Sequence, residues 1–146
     1  MSLINNFFKR SLDTWESHRT YLYPNKNSFV SSVTKYTWVE EGEGLYKIEW
    51  DNVQMNSKGS MCIEVGPDVL KRDVGYFTKN PTISQVIKCT YDCLHTETIY
   101  NGTSYNELIT FVDDRTRIRR TIAKKWDGTS YDRLVLLGNY TEIKNG

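Results

Sequence analysis

The chain has 146 residues and a mass of 17.1 kDa, the size of one ordinary domain, so residues 1–146 are read as a single domain. Lys and Arg total 19 against 18 for Asp and Glu, a net charge of +1, which excludes an overall field drawing the chain to nucleic acid or anionic membrane and leaves charge-based roles to local clusters. Hydrophobic residues at 38% exclude global disorder, and ten Tyr with four Trp suit strands and flat-ligand pockets.

The N-terminal stretch MSLINNFFKRSLD has neither a signal-type apolar region nor a small-residue cleavage site, and no apolar run approaches the roughly 18 residues of a membrane helix. No membrane span and a cytoplasmic location are therefore expected. Cys62, Cys89 and Cys93 show no disulfide-framework spacing, in keeping with reduced thiols. Leu3, Ile4, Phe7, Phe8, Leu12 and Trp15 recur at spacings of three and four, which predicts one amphipathic helix over residues 3–17. Pro24, Asn25, Asn27 and Ser28 then break the chain, and the period changes to two.

Residues 28–39, 45–55, 60–65, 70–77, 83–90, 94–100, 105–112, 116–126 and 133–143 are rich in β-branched and aromatic residues and read as strands. Asn101-Gly102 and Asp127-Gly128 suit tight hairpins, while Lys58-Gly59, residues 42–44 and Asp113-Asp114 suit reversals. Roughly nine or ten strands linked in this way form an antiparallel up-and-down meander, which normally curls until its edges meet. The expected fold is mainly β: a barrel of the lipocalin or fatty-acid-binding-protein type with one N-terminal helix, whose interior can hold one small ligand.

Cys89 and Cys93 are spaced C-x3-C and His18 and His95 stand alone, so no metal site is expected. Phosphate-loop, G-x-S-x-G and H-E-x-x-H motifs are absent from the sequence, and no nucleophile and base pair is visible. The most unusual segment is the basic run Arg115, Arg117, Arg119, Arg120, Lys124 and Lys125 inside a strand. Arg115, Arg117, Arg119, Thr121 and Ala123 share one face of that strand, and Ile118, Arg120, Ile122 and Trp126 share the other. One reading buries the isoleucines and solvates the arginines, because Arg is seldom buried unpaired. The other turns Arg117 and Arg119 into a cavity, where two guanidinium forks could grip carboxylates. Periodicity does not choose between them. Glu107, on a face with Ile109 and Phe111, and Glu142, alternating with Tyr140 and Lys144, pose the same question. Arg19 and Thr20 read as an ordinary helix exit.

Taken in order, several segments resemble the S/U-type phycobiliprotein (bilin) lyases, which attach open-chain tetrapyrroles to light-harvesting phycobiliproteins. Phe7-Phe8 followed by Trp15-Glu16-Ser17-His18-Arg19-Thr20 is similar to the family's F-F and W-x-S-Q-R-T signature, with His18 in place of Gln. The stretches from Leu70 to Phe77 and from Leu94 to Tyr100 resemble its L-x-R-x-x-G-Y-F and T-L-H-x-x-T-x-Y segments. Glu107 opens the counterpart of E-R-I-W-F, Arg117-Ile118-Arg119 falls where the family has R-L-R, and residues 140–144 resemble its closing F-C-S-E-I-R. Residues 111–114, Arg120 and Lys144 depart from the family pattern.

The resemblance implies the same barrel, and it implies that Arg117 and Arg119 face inward to hold ligand propionates. By the same resemblance Glu107 and Glu142 are catalytic groups facing pyrrole nitrogens, while Arg19 and Trp50 line the ligand pocket. It further implies that a phycobilin, phycoerythrobilin or phycocyanobilin, is a substrate and not a resident cofactor. The partner is an apo-phycobiliprotein subunit whose cysteine receives the chromophore; the chain acting alone, as a homodimer or with a related subunit is compatible with it. A non-enzymatic carrier of a small hydrophobic or bilin ligand is the alternative the same barrel suits. A single-stranded nucleic-acid binder using the basic strand is a third reading, disfavoured by the near-neutral charge.

Overall fold

A computed structural model of the protein describes residues 3–52, 57–73 and 80–145. Helix α1 (Leu3–Arg10) is followed by ten strands: β1 (Asp13–Tyr23), β2 (Ser28–Gly42), β3 (Leu45–Asn52), β4 (Ser57–Val65), β5 (Val69–Arg72), β6 (Thr82–Cys89), β7 (Cys93–Tyr100), β8 (Thr103–Asp113), β9 (Thr116–Trp126) and β10 (Tyr131–Asn145). Every strand pairs antiparallel with its sequence neighbours, and β1 also pairs with β10. The sheet is therefore the closed barrel that the hairpin chemistry predicts. No helix among the described residues is long and apolar enough to cross a membrane.

The predicted helix over residues 3–17 is too long. Ile4, Phe7 and Phe8 are buried at helical spacing, but the helix stops at Arg10. Ser11 closes it, its Oγ donating to the Phe7 carbonyl at 3.0 Å, and Asp13 takes φ 115°, which no helix continues through. Trp15 fits the helical stripe on paper, yet Trp15 and Ser17 are also two apart, and both are buried as inward residues of β1. The strand wins because β1 hydrogen-bonds along both edges, to β2 and to β10, which satisfies far more backbone than another turn of helix would. Arg19 and Thr20 accordingly sit within β1 and not at a helix exit.

Pro24 begins a single 3-10 turn (Pro24–Lys26), closed by Asn27 at φ 46°. Asn101 and Gly102 both adopt positive φ, 50° and 73°, as a two-residue hairpin between twisted strands demands. Asp127 caps the β9–β10 turn by accepting from the N–H groups of Thr129 and Ser130, at 2.8 and 2.9 Å. Lys58-Gly59, expected as a reversal, lies inside β4. The predicted ends of strands 45–55 and 70–77 fall partly on residues 53–56 and 74–79, which lie outside the described residues.

The core fills the end of the barrel that α1 plugs. Phe8 meets Trp38 and Tyr46, each at 5.1 Å between ring centroids, and Phe7 meets Phe111 at 5.1 Å. Offset and edge-on aromatic pairs of this kind add to the area they bury. Arg10 pins the helix from outside, bonding Asp92 at 2.9 Å and Asp114 at 3.1 Å across two hairpins.

Candidate functional site

The orientation that periodicity leaves open is resolved at β9. Arg117, Arg119, Thr121 and Ala123 are buried, whereas Ile118, Arg120 and Ile122 are exposed. The reading that solvates the two arginines is therefore overturned. What permits the burial is the antiparallel register, which sets Glu142 of β10 opposite Arg117 and Tyr140 opposite Arg119. On the other side, β8 turns Glu107, Ile109 and Phe111 inward, with Glu107 opposite Thr121. A buried cation is tolerable when a carboxylate and hydrogen-bond acceptors come with it, and the neighbouring strands supply both.

The two arginines are held very differently. Arg117 has no solvent exposure, 0%, and each of its nitrogens is engaged. Nε donates to Glu142 at 2.8 Å, Nη1 to Ser11 Oγ at 2.8 Å, and Nη2 to the Tyr36 hydroxyl at 2.5 Å. Its guanidinium also lies over the Trp15 ring, 4.3 Å from the centroid. Burial pushes the Glu142 carboxyl up, but Arg119 and Arg117, helped by hydrogen bonds from Tyr36 and Ser17, outweigh it and hold the group below the usual carboxylate range. Burial drives Tyr36 the other way, pushed up to about 12 despite the opposing pull of Arg117.

Above this layer, toward the end opposite α1, lies a cavity of about 240 Å³. Its walls include Arg19, Tyr21, Tyr36, Trp50, Glu107, Arg119 and Tyr140. Glu107 stands between two cations, with Arg72 Nη2 and Arg119 Nη2 each 3.7 Å from its Oε2. Arg119 also reaches down to Glu142, Nη1 to Oε2 at 3.8 Å. Arg19 spends Nε on Ser17 Oγ at 3.0 Å and lies 5.3 Å from the Tyr140 ring and 5.7 Å from the Tyr36 ring. Its two terminal nitrogens have no hydrogen-bond partner among the described residues, and Arg19 forms part of the cavity wall. Burial holds the Tyr140 hydroxyl far above its ordinary pKa, and it donates to Thr121 Oγ1 at 3.1 Å.

Two glycines shape the aromatic walls. Gly59 of β4 pairs with Trp50 of β3, and a Cβ at Gly59 would overlap the indole, so the ring lies flat across bare backbone. Gly138 does the same for Tyr140, whose Cζ is 3.0 Å from where a Cβ would stand. Flat aromatic walls around a few buried cations and one carboxylate suit a planar, largely apolar ligand carrying acidic substituents.

Of the six residues that the sequence singles out, Arg19, Trp50, Glu107 and Arg119 line this cavity, whereas Arg117 and Glu142 form the sealed layer beneath it. Sequence reasoning missed Arg72, Tyr36, Tyr140 and Ser11. Arg72 is buried with Leu70 in β5, a strand of four residues, and Nη1 donates to Ser84 Oγ at 2.8 Å; so short a strand gives no period to read. Cys62, Cys89 and Cys93 are free and half-buried, and none of them lines the cavity. Among the described residues, no group of three or more His, Cys, Asp or Glu could hold a metal ion.

Comparison with known proteins agrees with this architecture. The putative chromophore lyase CpcV of Picosynechococcus sp. is 24% identical, with 82% of this chain and 72% of that protein covered. The S-type phycobiliprotein lyase CPES from Guillardia theta has the same fold, with a TM-score of 0.72 at 18% identity over 100% of this chain and 94% of that one. A protein of unknown function from Nostoc punctiforme superposes with a TM-score of 0.68 at 10% identity, over 94% of this chain and 49% of its own. Residues 44–143, more than half of the sequence and including β3 to most of β10, match the family described as CpeS-like protein. The chain belongs to the CpeS-like family.

Proposed function

We propose that the chain is a phycobiliprotein lyase that binds an open-chain tetrapyrrole in the barrel cavity and attaches it through a thioether to a cysteine of an apo-phycobiliprotein. The observation that carries this reading is the set Arg19, Arg119 and Glu107 gathered among Trp50, Tyr21, Tyr36 and Tyr140 in one cavity, with Arg72 3.7 Å from Glu107. Its family membership and its likeness to a putative chromophore lyase support the same reading. Phycoerythrobilin and phycocyanobilin are the substrates to test.

Each cavity residue then has a physical task. Arg19 and Arg119 hold propionates, exchanging water for charge-assisted bonds in a poorly solvated site. Trp50 covers the flat π-system. Glu107 faces the pyrrole nitrogens, where a carboxylate favours the protonated, more electrophilic bilin. Glu142 acts at one remove, because its carboxylate is bound by Arg117 and reaches the cavity through Arg119. Arg117 and Glu142 are thus positioning residues.

The bond is formed by the partner's cysteine. Its thiolate adds to the ethylidene carbon of ring A, and the electron pair of the exocyclic C=C takes a proton at the adjacent ring carbon. No group leaves and no oxidant is needed. The chain contributes positioning, exclusion of water and electrophile activation. A nucleophile of its own is superfluous, in keeping with a cavity that no described cysteine lines.

Co-production of the chain with a bilin and an apo-phycobiliprotein subunit tests the proposal. Colour that stays with the subunit on a denaturing gel, and is absent without this chain, is the expected result. Colour bound to the chain but never transferred would overturn lyase activity in favour of a carrier.

A further inference from the structure

The inward arginines leave part of the basic run unaccounted for. Arg120, Lys124 and Lys125 take no part in the cavity. On the outer wall of β7, β8 and β9, Arg120 and Lys124 border a second depression, a groove of about 450 Å³, while Lys125 alternates to the other face of β9 beside the hairpin and is exposed there. Its floor is aliphatic: Leu108 and Ile122 are 37% and 38% exposed, although each sits on a strand that has a full inner face to bury. Arg120 and Lys124 flank that floor, and Tyr131 closes one side. On the far side Ser104 Oγ donates to Glu97 at 3.0 Å, and His95 bonds Asn106 at 2.9 Å; Glu107 also borders the groove and meets Arg72 and Arg119 at 3.7 Å, so both of the groove's carboxylates are already engaged.

The cations are not neutralised. Arg120, Lys124, Lys125 and Arg133 make no ion pair among the described residues, whereas Arg10, Arg72, Arg117 and Arg119 all do. Lys125 and Arg133 moreover stand directly opposite each other in the β9–β10 register, an arrangement of like charges that costs stability. A folded chain keeps such a cluster at no benefit to itself, and carboxylates brought by a partner would remove the cost. Exposed aliphatic floor and unneutralised cations together define an acidic partner surface with an apolar residue at its centre. A nucleic-acid strand fits less well, because the floor offers leucine and isoleucine where bases need a run of aromatic platforms.

Position relates the groove to the cavity. Arg119 points into the cavity and Arg120 into the groove, so the two lie back to back across β9. Along the strand the groove leads to the β9–β10 hairpin, where Trp126, 47% exposed, packs on Tyr131 at 5.0 Å. That hairpin is at the end opposite α1, about 20 Å from Arg120 at strand rise. A protein seated in the groove is therefore placed within about 20 Å of the barrel end toward which the cavity lies.

We infer that the outer face formed by Leu108, Ile122, Arg120 and Lys124, with Lys125 and Arg133 at its lip, is the docking surface for the acceptor protein, which meets it with an acidic, partly apolar segment. This rests on the proposed lyase reading, and the test separates the two. Thioether transfer from the loaded chain to an apo-phycobiliprotein subunit is measured against acceptor concentration, for wild type and for the variant Arg120→Glu/Lys124→Glu/Lys125→Glu. Bilin titration is followed by absorbance for both.

The expected result is unchanged bilin affinity, a KM for acceptor raised about tenfold or more, and a transfer rate that loses its dependence on salt, as removal of rim charges produces. Arg120→Gln/Lys124→Gln, which keeps size and polarity, should show a smaller rise in KM and guards against a misfolded triple variant. Wild type that never transfers would overturn the lyase reading itself. Wild type that transfers with the same KM as both variants would overturn the docking surface alone. Binding of oligothymidine by wild type that the triple variant loses would assign the face to nucleic acid and overturn it as well.

Discussion

Arg117 and Arg119 are two residues apart on one face of one strand, yet they belong to different regions of the molecule. The lower region, between α1 and the Arg117–Glu142 pair, is sealed: Trp15, Tyr46, Phe7, Phe8 and Met61 are essentially without exposure there, and every nitrogen of Arg117 is bonded to protein. The upper region is a cavity lined by Arg19, Arg119 and Glu107, and Arg72 and Arg119 each stand 3.7 Å from the Glu107 carboxylate. Arg117 and Glu142 are bonded at 2.8 Å in the layer below, and Glu107 meets its two arginines at 3.7 Å in the layer above. Residue type and strand face are the same; depth along the barrel axis decides the role.

The sharpest way to break this distinction is Arg117→Ala. It leaves the Glu142 carboxylate in the core with Arg119, at 3.8 Å, as its remaining cation and deprives Ser11 and Tyr36 of a donor, and loss of one partner of a buried pair costs about 3–5 kcal/mol. Denaturant unfolding should show that loss without any ligand present, and a variant as stable as wild type would refute the structural role of the pair. The double variant Arg117→Met/Glu142→Leu should recover much of the loss, since apolar replacement of both partners removes the orphaned charge.

Titration comes next in size. Tyr36 is held neutral in the fold, pushed up to about 12 from 10.0. Its contribution is complete below pH 10, where both states are protonated, and is lost as the pH rises toward the folded value, about 2–3 kcal/mol in all. Glu142 has the opposite sign. Its depressed folded pKa contributes stability above the ordinary carboxylate range, and that stability is lost as pH falls through the folded value. Unfolding free energy measured against pH should fall on both flanks, and Tyr36→Phe should shrink the alkaline step, leaving the part that belongs to Tyr140.

Arg119→Ala sharpens the comparison from the other side. Glu107 keeps Arg72 and Glu142 keeps Arg117, so the fold should lose less than in Arg117→Ala. Bilin binding should weaken by about 1–3 kcal/mol, the cost of losing a charged hydrogen-bond partner, as read by absorbance titration. Equal affinity for the two proteins would remove Arg119 from the site. The smallest effect belongs to Glu107→Gln, which keeps shape and loses charge: binding should persist while the bound bilin's absorption shifts and transfer slows. A spectrum identical to wild type would end its proposed role.

Much of the barrel can be read from sequence because its turns carry local chemistry, such as Asn101-Gly102 and Asp127-Gly128. The tenth strand was the hidden one. Residues 13–17 satisfy helical and strand periods equally, and only pairing with β2 and with β10, the latter more than a hundred residues away, decides between them. The same distance obscures Arg117, whose burial looks prohibitive until Glu142 is set opposite it. Resemblance supplied that orientation where periodicity could not. Lys58-Gly59 misled for another reason: the glycine that looks like a turn is there to let Trp50 lie flat.

Closure of the ring has a consequence for biogenesis. Thr14 pairs with Asn145, so the first strand and the last complete the barrel together. During synthesis β1 must wait, unpaired on one edge, until β10 has left the ribosome, and contacts so distant in sequence make folding slow. The cavity therefore comes into existence in one late event, and a nascent chain has no enclosed pocket to offer a chromophore before that event is over.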